Sequence, residues 1–325
     1  MSLLEIEDLV VHFHTDAGPV AAVDGVSLSV EAGEIVGLVG ESGSGKSVTG
    51  LALLGLIRPP GRIVRGAVRF AGRDMLRMTE AELRLYRGRH IALVPQSPRT
   101  SLNPVITVGE QIARLVRLHG GASRGDALRR AIALMEQVGI PEAGAKVRQY
   151  PHQLSGGTCQ RIMVAMALSS APRLIIADEP TTGLDVSIAA RILDLLRDVC
   201  VQTGTGIILI THDLGVVAET CDRVAVMHAG QLAEAAPVRA LFRHPAHPYT
   251  RALVGAIPRI DAEVALKPIP GAVPPLLHAP PGCRYAERCE LVEARCRERF
   301  PPPVTVGPGH IAACFAVGHV HADAA

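Results

Sequence analysis

The sequence predicts an α/β fold built on a parallel sheet, and three stretches of the chain predict it. The first is the pattern Gly-x-x-x-x-Gly-Lys-Ser at residues 40–47, which directly follows the apolar run 35–39 and precedes an apolar helical segment. The other two are the apolar runs 174–177 and 206–210, which have the length and composition of strands buried on both faces. A helix-like segment at 188–201 separates them, as a crossover between parallel strands requires.

The remaining elements follow from the periodicity of apolar residues. Alternation with a period of two predicts strands, and recurrence every three to four residues predicts helices. The predicted strands are 9–13, 26–30, 62–75, 91–94, 224–227 and 230–234, and the predicted helices are 48–57, 188–201 and two within 107–138 that are divided at Gly120-Gly121.

Composition limits the class of protein. At 325 residues with 48% apolar content, the chain has room for two domains or for one large domain and an appendage. A net charge of +2, no Trp and 3% aromatic residues argue against a nucleic-acid partner. No apolar run reaches the roughly 18–20 residues that span a bilayer, and the acidic N-terminus lacks the basic region of a secretory signal. We therefore expect a cytoplasmic protein, in which disulfides are rare.

The stretch 40–47 has the chemistry of a phosphate-binding loop. Its glycines let the backbone wrap a polyphosphate, and the following helix N-terminus adds partial positive charge. Lys46 would reach the β- and γ-phosphates, and the Ser47 hydroxyl would ligate Mg²⁺. A Gly/Ser-rich turn without a ligand is the alternative, but it does not explain why both flanks match. The predicted binding set is Gly40, Ser42, Gly43, Ser44, Gly45, Lys46, Ser47 and Val48.

Further polar residues follow the predicted core strands. The run 174–177 ends in Asp178, which would hold Mg²⁺, and Glu179, which would polarise an attacking water. His212 follows the next strand and would reach the γ-phosphate, although a structural hydrogen bond is the commoner role of such a histidine. Gln96 follows 91–94 and would sense Mg²⁺ or water, although alone it is an ordinary loop residue.

The sequence Leu154-Ser155-Gly156-Gly157 predicts a second anion site. Ser155 would cap a helix, and the two glycines permit close backbone approach. One nucleotide cannot easily occupy two separated sites in one chain, which favours a head-to-tail dimer with the nucleotide between the loop of one subunit and Ser155, Gly156 and Gly157 of the other. An ordinary capped helix is the alternative.

Together these residues resemble the ATP-binding cassette (ABC) transporter ATPases over roughly residues 3–258. The resemblance implies a P-loop NTPase cassette with a RecA-like core, an antiparallel β subdomain and a helical subdomain at about 97–160, followed by a Pro/Cys-rich C-terminal extension at 259–325. It implies that Glu179 is the catalytic base and that Phe13 stacks on adenine, with a strand-core role for Phe13 as the alternative. The ordered motifs are Walker A at 40–47, Gln96, the signature at 154–157, Walker B at 174–179, the D-loop at 183–185 and the switch residue His212.

Two positions depart from the family pattern without removing a phosphate ligand. The signature continues with Thr158-Cys159, where the family more often has Gln or Met and then Arg or Gln. The D-loop has Gly183 before Leu, where Ala is usual. Both leave the turnover rate at the partner site open.

The tail resembles a subfamily. Residues 243–253 are similar to a segment of the oligopeptide/dipeptide importer ATPases, a group that also serves nickel and some oligosaccharides. Five, six and seventeen residues separate the four cysteines that follow. This spacing favours a [4Fe–4S] cluster over Zn²⁺, and four free thiols are the alternative. The frequent prolines predict a tail wrapped on its neighbours. The candidate ligands are Cys283, Cys289, Cys296 and Cys314.

The resemblance implies an ATP-hydrolysing, energy-coupling subunit of a peptide importer at the cytoplasmic face of the membrane. Its partners would be a second, homologous ATPase chain, two transmembrane permease subunits and an extracytoplasmic substrate-binding protein. The alternatives are an importer for nickel or oligosaccharide, a soluble ABC ATPase of translation or DNA repair, and a metal-sensing or redox protein.

Overall fold

The computed structural model of the chain describes residues 2–257 and 268–317. The predicted boundary near residue 260 lies outside the described residues. Within those two described ranges, no helix combines the length and the apolar character that crossing a bilayer requires.

The strands and helices extend over the following residues. The strands are β1 (Leu4–Thr15), β2 (Gly18–Val30), β3 (Ile35–Val39), β4 (Gly61–Phe70), β5 (Arg73–Asp74), β6 (Ile91–Val94), β7 (Leu174–Asp178), β8 (Gly206–Thr211), β9 (Arg223–His228), β10 (Gln231–Pro237), β11 (Val304–Gly307) and β12 (His310–Ala312). The helices are α1 (Lys46–Leu53), α2 (Glu80–Tyr86), α3 (Pro98–Ser101), α4 (Val108–Gly120), α5 (Arg124–Gln137), α6 (Ala143–Lys146), α7 (Gly156–Leu168), α8 (Val186–Thr203), α9 (Leu214–Thr220), α10 (Val238–Arg243), α11 (Pro248–Gly255) and α12 (Ala294–Glu298).

The chain divides into two units. The first unit contains the described residues of 1–29, 36–76 and 210–325, and the second contains 30–35 and 77–209. The division passes through β3 and β8, so the phosphate-binding loop belongs to the first unit and the Asp178-Glu179 pair belongs to the second.

An antiparallel sheet with strand order β2-β1-β4-β5 forms one part of the first unit. The observed β1 starts earlier than the predicted strand 9–13. The reason is visible in its burial pattern: Leu4 and Ile6 face the core, whereas Glu5 and Glu7 lie on the outer face. The acidic residues at the N-terminus are therefore the solvated side of a strand.

A second set of strands in the first unit has the order β11-β12-β10-β9-β3. β3 and β9 pair in parallel, and β9 and β10 form the predicted antiparallel hairpin. β12 pairs with β10, with Glu234 opposite Ala312. Strand β12, which lies C-terminal to the predicted boundary, therefore extends the set of strands that contains β9 and β10.

The second unit contains the order β8-β7-β6 and most of the helices. β6 and β7 pair in parallel, with Val94 opposite Ala177. The predicted break at Gly120-Gly121 is confirmed: α4 ends at Gly120, and Gly121 caps it with a φ of 65°. Ser123 then caps α5 by accepting a hydrogen bond from the N–H of Asp126.

Candidate functional site

The loop 40–47 closes around the ammonium group of Lys46. Its Nζ donates hydrogen bonds to the carbonyl oxygens of Gly40 (2.7 Å) and Glu41 (2.9 Å) and to Ser44 Oγ (3.3 Å). α1 begins at Lys46 rather than at the predicted Val48, because Gly45 serves as its N-cap. The loop therefore presents a helix N-terminus and a cation at one place, which is the arrangement that polyphosphate requires.

Two glycines of this loop are required by the backbone around it. Gly40 has a φ of 149°, and a β-carbon there would overlap the carbonyl oxygen of Met227. Gly45 has a φ of 97°, and a β-carbon there would overlap the carbonyl oxygen of Ala22. Any other residue at either position would clash with backbone, so the loop conformation depends on both.

Glu179 stands at the end of β7, beside two hydrogen-bond donors. Gln96 Nε2 donates to Glu179 Oε2 at 3.0 Å, and Thr182 Oγ1 donates to the same oxygen at 2.9 Å. The strand register explains the contact with Gln96. Val94 of β6 pairs with Ala177 of β7, and Gln96 and Glu179 each lie two residues beyond these partners. Sequence reasoning placed Gln96 and Glu179 in one site, and the structure brings them together. It did not identify Thr182.

The backbone also sets Glu179 apart. Its φ is 49°, a left-handed conformation that non-glycine residues adopt at a cost of order 1–3 kcal/mol. Asp178, the preceding residue, ends β7 and is buried. Glu179 is half-buried, so the two adjacent carboxylates have different surroundings.

The signature residues form the start of α7. Ser155 is exposed and caps this helix by accepting a hydrogen bond from the N–H of Thr158 at 3.2 Å. A β-carbon on Gly157 would lie 3.0 Å from Leu184 of the D-loop, whereas one on Gly156 would meet nothing within 4 Å. The helix N-terminus at Gly156 is therefore open for approach, while Gly157 is needed for packing.

Two further predicted residues lie in the first unit. His212 is exposed and follows β8. Phe13 is half-buried opposite Gly61 in the β1–β4 pair, and a β-carbon on Gly61 would lie 2.7 Å from its ring. This packing fits the alternative of a strand residue and does not decide between the two roles. The roles of His212 at the γ-phosphate and of Phe13 at adenine stay predictions.

The four cysteines of the extension gather in one region. The Cys283 N–H donates to the carbonyl oxygen of Cys296 at 2.8 Å. Burial raises the pKa of Cys283 to about 12 and that of Cys314 to about 11, and neighbouring thiols of the group add to both shifts. The spacing thus predicted their proximity.

A metal-ligating arrangement is not supported. Among the described residues, no three His, Cys, Asp or Glu side chains form a group that could hold a metal ion. The expected iron–sulfur or zinc site at Cys283, Cys289, Cys296 and Cys314 therefore stays a prediction.

Sequence reasoning missed several contacts of the loop 40–47. The Glu41 carboxylate receives two hydrogen bonds from Arg288, and the Glu41 N–H donates to the hydroxyl of Tyr249 at 3.0 Å. Tyr249 lies in the segment 243–253, whose resemblance indicates a subfamily but not this contact. No sequence pattern links Glu41 to Arg288, which follows it by 247 residues.

The start of α11 also contains a buried histidine. Burial lowers the pKa of His247 to about 4, although Glu234 opposes the shift. His247 Nδ1 accepts a hydrogen bond from the N–H of Tyr249 at 3.0 Å, which a protonated Nδ1 cannot do.

We expect this histidine to make stability depend on pH. Its folded-state pKa lies below its unfolded value, so its contribution is present above pH ~6.5 and is lost as pH falls toward 4, by of order 3 kcal/mol. Denaturant unfolding at several pH values measures this loss. His247→Asn keeps an acceptor and cannot titrate, so its stability should fall less steeply over this range. An unchanged slope would contradict the assignment.

Comparisons with known proteins agree with the geometry. The family model of the ABC transporter matches residues 23–182, and the model of the oligopeptide/dipeptide transporter C-terminal region matches residues 233–296. The chain belongs to the ABC transporter family. It is an ABC-type ATPase subunit, as its ordered motifs predicted.

The relatives of this ABC ATPase align along nearly the whole chain. A probable peptide ABC transporter ATP-binding protein of Sinorhizobium fredii, y4tR, is 48% identical over 96% of this chain and 94% of that protein. The oligopeptide transport ATP-binding protein AppD of Bacillus subtilis is 45% identical over 97% of this chain and 96% of that protein. The dipeptide transport ATP-binding protein DppD of Escherichia coli is 45% identical over 97% of this chain and 96% of that protein.

Solved structures confirm the cassette fold. The ATP-binding cassette MJ0796, in a dimeric post-hydrolysis state bound to ADP and Pi, matches with a TM-score of 0.66 and 25% identity. The match covers 73% of this chain and 99% of that chain.

Proposed function

We propose that this ABC ATPase is the energy-coupling subunit of an importer for di- or oligopeptides. The observation that carries the proposal is that the similarity includes the extension: residues 233–296 match the oligopeptide/dipeptide region, and the named peptide-transport relatives align through it. A soluble ABC ATPase of translation or DNA repair would leave this match unexplained. An importer for nickel or an oligosaccharide is the nearest alternative.

The assembly follows from the same proposal. A second, homologous cassette would complete each nucleotide site, and closure of the two cassettes would drive a pair of transmembrane permease subunits at the cytoplasmic face of the membrane. An extracytoplasmic binding protein would deliver the peptide. The open helix N-terminus at Gly156 supports the head-to-tail dimer, and a solved cassette of the same fold is dimeric. The helical subdomain at about 97–160 would contact the permease, within a cassette at 1–258 followed by the extension at 259–325.

The residues divide the chemistry between them. The phosphate-binding set with Lys46 would hold ATP and offset charge on the transferring phosphoryl group. Ser47, Gln96 and Asp178 are the oxygen-bearing side chains that would hold Mg²⁺, which supplies charge neutralisation when bound. Glu179 would take the proton of the attacking water. The hydrogen bonds from Gln96 and Thr182 would orient the Glu179 carboxylate. His212 would position that water.

Transport measurements test the function. The tagged chain is purified together with its membrane partners and reconstituted in vesicles. ATP is supplied inside the vesicles in one set and outside them in another. We expect ATP-dependent uptake of a labelled tripeptide and no uptake of Ni²⁺ or a labelled oligosaccharide. Uptake of either of these in place of peptide would select the alternative importer, and co-purification with ribosomes or DNA but no permease would contradict transport.

We also propose that the four cysteines hold a [4Fe–4S] cluster, with Zn²⁺ as the alternative. Their shared region and the all-thiol donor set support this, since soft sulfur ligands suit both. Binding would require the metal to displace the thiol protons and the side chains to turn toward a common point.

Metal analysis of the anaerobically purified chain tests this proposal. A cluster predicts about four iron per chain and absorbance near ~400 nm, and zinc predicts one metal without colour. Cys283→Ser and Cys314→Ser should lose the metal, whereas Cys200→Ser, a buried cysteine of α8, should keep it. A chain that contains neither metal, or variants that retain it, would contradict the site.

A further inference from the structure

The phosphate-binding loop is tied to the C-terminal extension by one ion pair. Arg288 Nη1 donates to Glu41 Oε2 at 2.7 Å, and Arg288 Nη2 donates to Glu41 Oε1 at 2.9 Å. Two parallel bonds between a guanidinium and a carboxylate fix orientation as well as distance. Glu41 directly follows Gly40 and supplies one of the carbonyl oxygens that hold Lys46, so the pair acts on the backbone that cradles phosphate.

The arginine is itself held rigidly. Its side chain is only 4% exposed, its Nε donates to the carbonyl oxygen of Pro270 at 2.7 Å, and its guanidinium lies over the ring of Tyr285. Arg288 Nη1 also lies 3.2 Å from His228 Nε2. Burial lowers the pKa of His228 to about 4, so the ring is neutral at pH 7, and because a guanidinium only donates, this contact requires the tautomer with its proton on Nδ1. These contacts hold the two Nη atoms of Arg288, called the fork below, toward Glu41.

Glu41 is correspondingly adapted to the pair. Burial alone would raise its pKa, but the hydrogen bond and charge of Arg288 bring the pKa below its ordinary value. Its own N–H is occupied by the hydroxyl of Tyr249. The carboxylate and amide of this one loop residue are thus both bound by residues that lie C-terminal to β10.

A second arginine of the extension, Arg284, contacts residues near the loop. Arg284 donates to the carbonyl oxygens of Ala21 (3.2 Å) and Ala229 and to Asp24 Oδ2 (2.6 Å). Ala21 precedes Ala22, whose carbonyl oxygen lies against Gly45. Arg284 therefore contacts residues that adjoin the neighbours of the loop, whereas Arg288 binds the loop itself.

We propose that Arg288 is a positioning residue for ATP binding, acting through Glu41, so that the extension is a working part of the nucleotide site. Without the fork, the backbone between Gly40 and Ser44 loses its lateral restraint, and its amides no longer converge on the phosphates. Loss of the ion pair should lower the affinity for ATP but not the rate of the chemical step. The reason is that Glu179 and its hydrogen-bond donors lie on other elements. This inference rests on the proposed role of the loop 40–47 in binding ATP.

Nucleotide binding to the full chain tests the proposal. Arg288→Gln and Glu41→Gln should each raise the Kd and KM for ATP about tenfold with kcat within about twofold, and the double variant should be no weaker than either. Arg288→Lys keeps the charge but not the fork and should recover part of the affinity. Arg65→Gln is the matched control, since Arg65 makes a similar two-bond pair with Asp8 on the exposed antiparallel sheet.

A second measurement covers variants that fold poorly. In the nucleotide-free chain, Arg288→Lys should accelerate amide hydrogen exchange of residues 40–47 about tenfold and leave β1 and β4 unchanged. If Arg288→Gln or Arg288→Lys folds normally and its ATP affinity and loop exchange equal those of the parent, the inference is wrong. The inference would also be wrong if the loss of ATP affinity in the double variant equals the product of the losses in the two single variants. A parent chain that fails to bind ATP would instead refute the proposed role of the loop.

Discussion

Replacing Glu179 with Gln is expected to reduce ATP hydrolysis by at least about a hundredfold while leaving ATP affinity within about threefold of the parent. The amide keeps the size of the side chain and an oxygen that can accept the hydrogen bonds from Gln96 and Thr182. It cannot take a proton from water. Phosphate release from the assembled transporter and binding of a fluorescent ATP analogue measure the two quantities separately.

A matched control separates this loss from a general effect of the substitution. Glu142 is an exposed glutamate of the second unit with a φ of 54°, close to the 49° of Glu179. Glu142→Gln therefore tests the same chemical change in the same backbone conformation and should hydrolyse ATP at the parental rate. If Glu179→Gln does so as well, Glu179 is not the base.

Local motifs predicted the cassette well, because each one encodes its own neighbourhood. The glycines of the loop 40–47, and Asp178 and Glu179 at the end of β7, could be predicted from adjacent residues alone. The parallel register of β6 and β7 then brought Gln96 to Glu179. The pairing of β12 with β10 and the bond from Arg288 to Glu41 join distant parts of the chain. Such contacts depend on how the extension folds back, which no local periodicity encodes.

The cysteines show the same limit at a finer scale. Their spacing predicted that they lie close together, and they do. Ligation depends on the side-chain torsions and protonation of four residues at once, which spacing does not determine. The start of β1 was predicted wrongly for a different reason. The alternation begins at Leu4, but the acidic residues between the apolar ones made this stretch look like a polar terminus.

Lys46→Ala and Ser155→Arg are expected to abolish ATP-driven transport for different reasons. In the isolated chain, Lys46→Ala should weaken ATP binding about a hundredfold, because a charge-assisted hydrogen bond to phosphate is worth about 3 kcal/mol. Ser155→Arg should leave that affinity within about threefold, because Ser155 would serve the nucleotide held by the partner cassette. Equilibrium binding to the purified chain and peptide uptake in vesicles check both halves of this prediction.

Loss of the helix cap alone must be separated from loss of the interface. Ser123 caps α5 just as Ser155 caps α7, with one hydrogen bond from a backbone N–H at 3.2 Å in each case. Ser123→Arg removes an equivalent cap, worth about 1 kcal/mol, and should still transport peptide. If Ser155→Arg weakens ATP binding to the isolated chain as strongly as Lys46→Ala does, Ser155 binds the nucleotide of its own chain. The head-to-tail arrangement would then be wrong, because its central requirement is that each chain completes the site of the other.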